Sequence, residues 1–259
     1  MAKHYKKENP KKYIIFILQL IFWGMLLYSL TNIIKWYIYN KQNEEIMEEI
    51  SDAIVIEEID AGIDENIETV EESYKIDFEA LKKVNADTVA FLKVNGTEIE
   101  YPIVKSINND YYLNHSFNKT YNAAGWIFAD YRNKIDETDK NIIIYGHNRK
   151  NGTMFSSLKN ILNKKWYNNE ENLTITLMTE NEEISYEVFS VYQIEKESYY
   201  LQTSFNNNEE YTNFINTLKN RSITDFGINV TFEDQILTLS TCANDNNYRV
   251  VLHAKKIVK

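Results

Sequence analysis

Residues 237–257 read LTLSTCANDNNYRVVLHAKKI. The first half alternates apolar with polar residues and stops at Cys242, and an apolar, β-type run resumes at Tyr248. Alternation with a period of two marks a half-buried strand, while Asn and Asp bond to their own backbone and favour turns. The stretch therefore predicts two strands joined by the ANDNN turn, with Cys242 closing one and Arg249 opening the next. On adjacent strand ends these two residues could face each other.

Working outward, six more β-type runs separated by turn residues precede this pair: VAFLK, EIEYPIV, GWIFAD, NIIIYG, NLTITLM and EISYEVFSVYQ. Eight short segments of this kind predict a mainly β domain, a closed or nearly closed eight-stranded barrel. Asn95-Gly96, between the first two, is a tight-turn signal because both residues tolerate the positive φ of a two-residue hairpin. Helical spacing appears at 77–85 (DFEALKKVN), expected to pack on the barrel. It recurs at 154–162 and at 208–220, where Tyr211, Phe214, Ile215 and Leu218 share one face. These short helices read as insertions between strands.

The region before residue 77 is of another kind. An uncharged apolar run from Tyr13 to Ile34 is about the 20 residues needed to cross a hydrocarbon core, and Lys35, Trp36, Tyr37 and Tyr39 follow it as interfacial residues. A cleaved leader has a shorter apolar core, so retention as a transmembrane helix over 13–38 is expected. Five lysines in the first twelve residues place that basic tail in the cytoplasm and the remainder outside. Residues 39–76 are expected to be an acidic, solvated, extended or partly helical stalk, and 77–259 the working domain.

The net charge of -10 hides this segregation. No Lys/Arg stripe interleaved with aromatics runs through the final two thirds, so a nucleic-acid partner is not expected. The lone cysteine excludes an internal disulfide and Cys-rich metal clusters, leaving either a buried apolar thiol or a reactive one. The histidines lack the short spacings of zinc pairs, so neither a metal nor any other cofactor is expected.

IIIYGHN places His147 where an apolar strand runs out, as LTLSTC does Cys242. A thiol, an imidazole and a guanidinium meeting at one barrel rim would suit acyl transfer, through thiolate attack, proton delivery to the leaving amine, and stabilisation of the oxyanion. Taken singly, each residue also has an ordinary structural explanation. Asp245 and Asn148 could orient His147, although Asp245 is better explained by its Asn-rich turn, where Asp is common for local hydrogen bonding. His115 and His253 are read as structural.

In combination, TLSTC with Arg249 on the following strand, YGHN, and the downstream MFSSLKNI resemble the sortase signature. NGTEIEYPIV, NNDYYLNHSF, GWIFADYRN, Ser240, and a helix-bearing insertion before the seventh strand are similar to class B, and the resemblance covers about residues 77–259. It implies an eight-stranded barrel in which Cys242 attacks the threonine carbonyl of an NPxTG- or NPxTN-like C-terminal sorting motif, leaving a thioester. His147 would protonate the departing amine, and Arg249 with the backbone N–H of Ala243 would hold the oxyanion. Leu113, Tyr200, Leu201 and Ser240 would lie near the sorting peptide. The implied partners are surface proteins bearing the signal, a peptidoglycan precursor or crossbridge amine, and the membrane. A hydrolytic cysteine peptidase, a pilin-polymerising sortase and a noncatalytic stalked adhesin are the alternatives.

Overall fold

The computed structural model describes residues 10–64, 67–242 and 248–258. The chain divides into two compact units, Met1–Glu44 and Glu45–Lys259. Helix α1 (Pro10–Glu49) carries the apolar run and, with a mean hydropathy of 2.0 in its most apolar window, is a candidate membrane span. At 1.5 Å per residue its 40 residues measure roughly 60 Å, twice a hydrocarbon core, so its C-terminal turns continue past the apolar segment. The helix thus extends beyond residue 38 into the expected stalk. The remainder of that stalk pairs as an antiparallel hairpin of β1 (Ile54–Asp64) and β2 (Ile67–Ile76).

Within the second unit the core starts earlier than residue 77. Ile46, Ile50 and Ala53 are buried in the same apolar cluster as Leu81, Leu92 and Ile103. Helix α2 (Phe78–Val84) follows, its first turn capped by Asp77, which accepts a hydrogen bond from the Ala80 N–H at 2.9 Å. Phe78 and Leu81 turn inward, as their spacing required.

Eight strands then close a barrel: β3 (Thr88–Val94), β4 (Ile99–Val104), β5 (Phe128–Ala129), β6 (Asn141–His147), β7 (Thr174–Met178), β8 (Glu183–Glu195), β9 (Ile236–Cys242) and β10 (Tyr248–Lys256). Round the barrel they run β10, β8, β7, β3, β4, β5, β6, β9, back to β10. The β4–β5 and β6–β9 pairs are parallel and the rest antiparallel. Closure leaves the barrel itself without a free edge strand. The Asn95-Gly96 hairpin forms, but through a four-residue loop in which Val94 pairs with Ile99 and only Gly96 takes a positive φ, +67°. A Cβ on Gly96 would sit 2.3 Å from Asn172 Oδ1, so close packing of a neighbouring turn sets that loop.

The two expected insertions form, as a 3-10 segment (Ser156–Leu162) and as α4 (Asn208–Arg221) between β8 and β9, and a short α3 (Lys164–Tyr167) follows the first of them. Tyr211, Phe214, Ile215 and Leu218 of α4 join Phe189, Tyr192, Ile194, Ile236 and Val251 in a second apolar cluster. Because Tyr186, Val188 and Val191 of β8 belong to the main core, that strand is buried on both faces.

Candidate active site

β6 and β9 run side by side in strict register, from Asn141 opposite Ile236 to His147 opposite Cys242. Both strands therefore end at the same level. On the other side of β9, the antiparallel ladder with β10 reaches Val251 opposite Ser240, and two residues further along each strand stand Arg249 and Cys242. The topology places the backbone positions of His147, Cys242 and Arg249 at one rim, on three neighbouring strands. Sequence alone could not supply this adjacency, because about ninety residues separate β6 from β9 and parallel neighbours always need such a crossover.

The His147 ring is buried, and its Nε2 lies 2.7 Å from the Leu113 carbonyl oxygen. A carbonyl can only accept, so the proton sits on Nε2. Nδ1 is buried with no hydrogen-bond partner among the described residues and keeps its lone pair. It is therefore the nitrogen able to take up and release a proton.

The seat of this ring is built by backbone. Leu113 closes a 3-10 turn (Tyr111–Leu113), and the Trp126 N–H donates to the Tyr112 carbonyl at 3.0 Å. Gly125 fills the remaining gap at a φ of +62°, where a Cβ would meet Tyr112 O at 2.6 Å, His147 Cδ2 at 2.7 Å and Leu113 O at 2.8 Å. Only glycine combines that backbone conformation with that approach.

Burial pushes the His147 imidazole below its ordinary pKa. The Leu113 carbonyl opposes this, and the charges of Arg149 and Arg249 add to it. The Arg249 guanidinium is thus within electrostatic reach of the ring, and its Nη1 is buried without a hydrogen-bond partner among the described residues. An unpaired guanidinium N–H beside an imidazole is a donor available to an anion.

The family model for a sortase domain matches residues 92–257. Sortase B of Listeria monocytogenes is 34% identical over 245 residues, spanning 93% of this chain and 96% of its own. The chain belongs to the sortase family, class B. The crystal structure of sortase B from Bacillus anthracis superposes with a TM-score of 0.72 at 33% identity, over 86% of this chain and all of that one. A crystal structure of sortase B complexed with triglycine gives a TM-score of 0.66 at 34% identity, over 70% of this chain and 85% of that one. The sortase fold expected from the sequence, an eight-stranded barrel with short helices, is the fold found.

In this sortase the other residues singled out from sequence are distributed as follows. Leu113 meets His147 through its carbonyl, and its side chain packs on the main core. Tyr200 is buried with its hydroxyl 3.0 Å from Ser240 Oγ, and Leu201 touches both apolar clusters. Asn148 pairs with Met154 in an isolated bridge just beyond β6. Ala243 and Asp245 lie outside the described residues. His115 stacks on Tyr111 at 4.0 Å, and His253 is fully buried between Tyr192 and Thr238. Two residues of this sortase's site escaped the sequence reading, Gly125 and Arg149. The signals were a glycine opening the GWIFADYRN segment and a cation two residues after His147.

Proposed function

We propose that this sortase is a cysteine transpeptidase whose catalytic groups are Cys242, His147 and Arg249. The observation that carries the reading is the in-register pairing of His147 with Cys242 at a rim that Arg249 also shares. The Cys242 thiolate attacks the threonine carbonyl carbon of an NPxTG- or NPxTN-like sorting motif. Arg249, with the Ala243 backbone N–H, takes the negative charge that develops on oxygen. The C–N bond then breaks, the departing amine carries off the proton held on His147 Nδ1, and a thioester remains. An incoming amine gives a proton back to Nδ1, attacks the thioester and releases the thiolate.

Leu113, Tyr200, Leu201 and Ser240 line the sorting peptide in this reading. The acceptor is a peptidoglycan precursor or crossbridge amine, and the triglycine complex of a related sortase B supports an amine-bearing peptide in that place. Residues 13–38 anchor the chain in the cell membrane as a single pass, 1–12 stay cytoplasmic, and 39–76 carry the catalytic domain, 77–259, outside. Wall anchoring is preferred over pilin polymerisation because no lid segment is evident before the barrel in the sequence.

The test is mass spectrometry of the protein mixed with NPxTG- and NPxTN-like peptides, with and without oligoglycine or a diamino-acid crossbridge mimic. The expected result is an acyl adduct on Cys242 that the amine discharges into a new peptide bond. Hydrolysis indifferent to every amine would point to a peptidase instead. Full function in Cys242→Ala would point to a noncatalytic adhesin.

A further inference from the structure

The DYRN segment, Asp130 to Asn133, lies away from the catalytic rim, and nothing in the mechanism above uses it. Asp130 is fully buried, and its carboxylate is gripped by Arg132 through a fork, Nε to Oδ1 at 2.8 Å and Nη2 to Oδ2 at 2.7 Å. Tyr145 Oη and Asn109 Nδ2 also donate to Oδ2, at 2.8 and 2.9 Å. Held this way, Arg132 still donates from Nη2 to the carbonyl of Leu201 at 2.9 Å.

The carbonyls of the residues on either side of Leu201 are caught from the barrel. Asn141 Nδ2 donates to the Tyr200 carbonyl at 3.3 Å and to the Gln202 carbonyl at 2.8 Å. Asn141 is itself fixed. Its Oδ1 accepts from Thr238 Oγ1 at 2.7 Å, and Asn133 Nδ2 donates to its backbone carbonyl at 2.8 Å. Because Thr238 spends its proton on Asn141, its oxygen must accept from His253 Nδ1–H, 2.9 Å away. His253 Nε2 in turn accepts from Tyr192 Oη at 2.8 Å. Every donor in this buried chain has one direction open to it, so the amide of Asn141 has a single orientation. Three consecutive carbonyls of an inserted segment are thus tied to two side chains, Asn141 of β6 and Arg132 of the β5–β6 loop, each locked by its own partners.

We infer that Arg132 and Asn141 are positioning residues for substrate selection, clamping Tyr200–Gln202 into the fixed wall against which the sorting peptide is read. The inference rests on the functional reading above, in which Tyr200 and Leu201 line the peptide. A wall whose carbonyls are pinned loses no conformational freedom on binding, which favours affinity and discrimination over turnover.

The experiment uses the full-length chain in detergent micelles and compares wild type with Arg132→Lys and Asn141→Thr. An ammonium can keep the charge near Asp130 but not the fork together with the third bond to Leu201. Threonine has nearly the volume of asparagine but cannot reach both carbonyls. Steady-state cleavage of a sorting-motif peptide, alkylation of Cys242 by iodoacetamide and thermal unfolding are read on each. The expected result is a KM raised about tenfold or more with kcat within about twofold, and an unchanged alkylation rate. Unchanged KM in folded variants overturns the inference, as does loss of kcat and alkylation in step. Should Arg132→Lys fail to fold, Asn141→Thr decides, since it leaves no buried charge unpaired. A wild-type chain that alkylates but ignores every peptide overturns the functional reading and this inference with it. An active wild type with indifferent variants overturns the inference alone.

Discussion

Gly125 and Leu113 fix where the His147 ring sits and which nitrogen is free, and both act through backbone. In Gly125→Ala the new methyl would press on the ring edge and two carbonyls while the chain stays at a positive φ. Such strain costs about 1–3 kcal/mol. We expect a lower midpoint in thermal unfolding together with at least a tenfold loss of kcat/KM for transpeptidation, as the ring shifts. Arg149 acts on the same ring through charge. Its guanidinium helps hold the imidazole below the ordinary range, so Arg149→Gln should raise the His147 pKa. The alkaline limb of kcat/KM, where His147 loses the proton it donates in the proposed mechanism, then moves to higher pH. Titration of the ring by NMR in the same variant should move the same way. Arg249→Lys keeps a cation but loses the fork, and a fall of about 10²-fold or more in kcat is expected from single-turnover rates.

At the scale of elements, β10 contributes a second histidine with a different consequence. His253 is buried, neutral and doubly hydrogen-bonded, and burial drives its pKa down to about 3. The unfolded chain takes up a proton near the ordinary value of 6.5, whereas the folded chain does not until about 3. Stability is therefore full above pH 6.5 and declines as pH falls through that window. The buried Asp130 enters only lower down. Burial alone would raise it, but the bonds from Arg132, Tyr145 and Asn109 outweigh burial and hold it below 3.8. Melting temperatures should thus drop steadily from pH 6.5 to 4.5. His253→Gln should flatten that slope without abolishing it, because His147 acts in the same sense.

Elements were also what the sequence disclosed best. All eight barrel strands announced themselves by apolar pattern, and α4 by the spacing of Tyr211, Phe214, Ile215 and Leu218, whereas the β1–β2 hairpin did not. Local periodicity carries that information. Periodicity is silent on which distant strands become neighbours, so the level ends of β6 and β9 had to come from a resemblance or from coordinates. It is equally silent on main-chain groups. Leu113 could be placed near the site, but not the fact that its carbonyl rather than its side chain meets His147. Asp130 and Arg132 lay in a segment already noticed, yet their partner Leu201 is 69 positions from Arg132.

For the whole molecule, the core reaches back to Ile46, ahead of the boundary at residue 77 that composition suggested. The reason is that α1 outlasts its apolar stretch and delivers Ile46 and Ile50 into the barrel's main cluster, while the Asp77 N–H donates to the Ala53 carbonyl at 2.8 Å. Burying an isoleucine side chain contributes about 1.5–3 kcal/mol. A chain starting at Glu45 should therefore resist urea to a measurably higher midpoint than one starting at Asp77. Equal midpoints would show that these two isoleucines add nothing to the core.

The parallel pair at the heart of the site, β6 and β9, joins strands about ninety residues apart in the chain, and β9 ends at Cys242. During synthesis His147 therefore emerges long before its in-register neighbour. A polypeptide that stops short of β9 accordingly lacks the proposed centre, however much of its earlier half has folded.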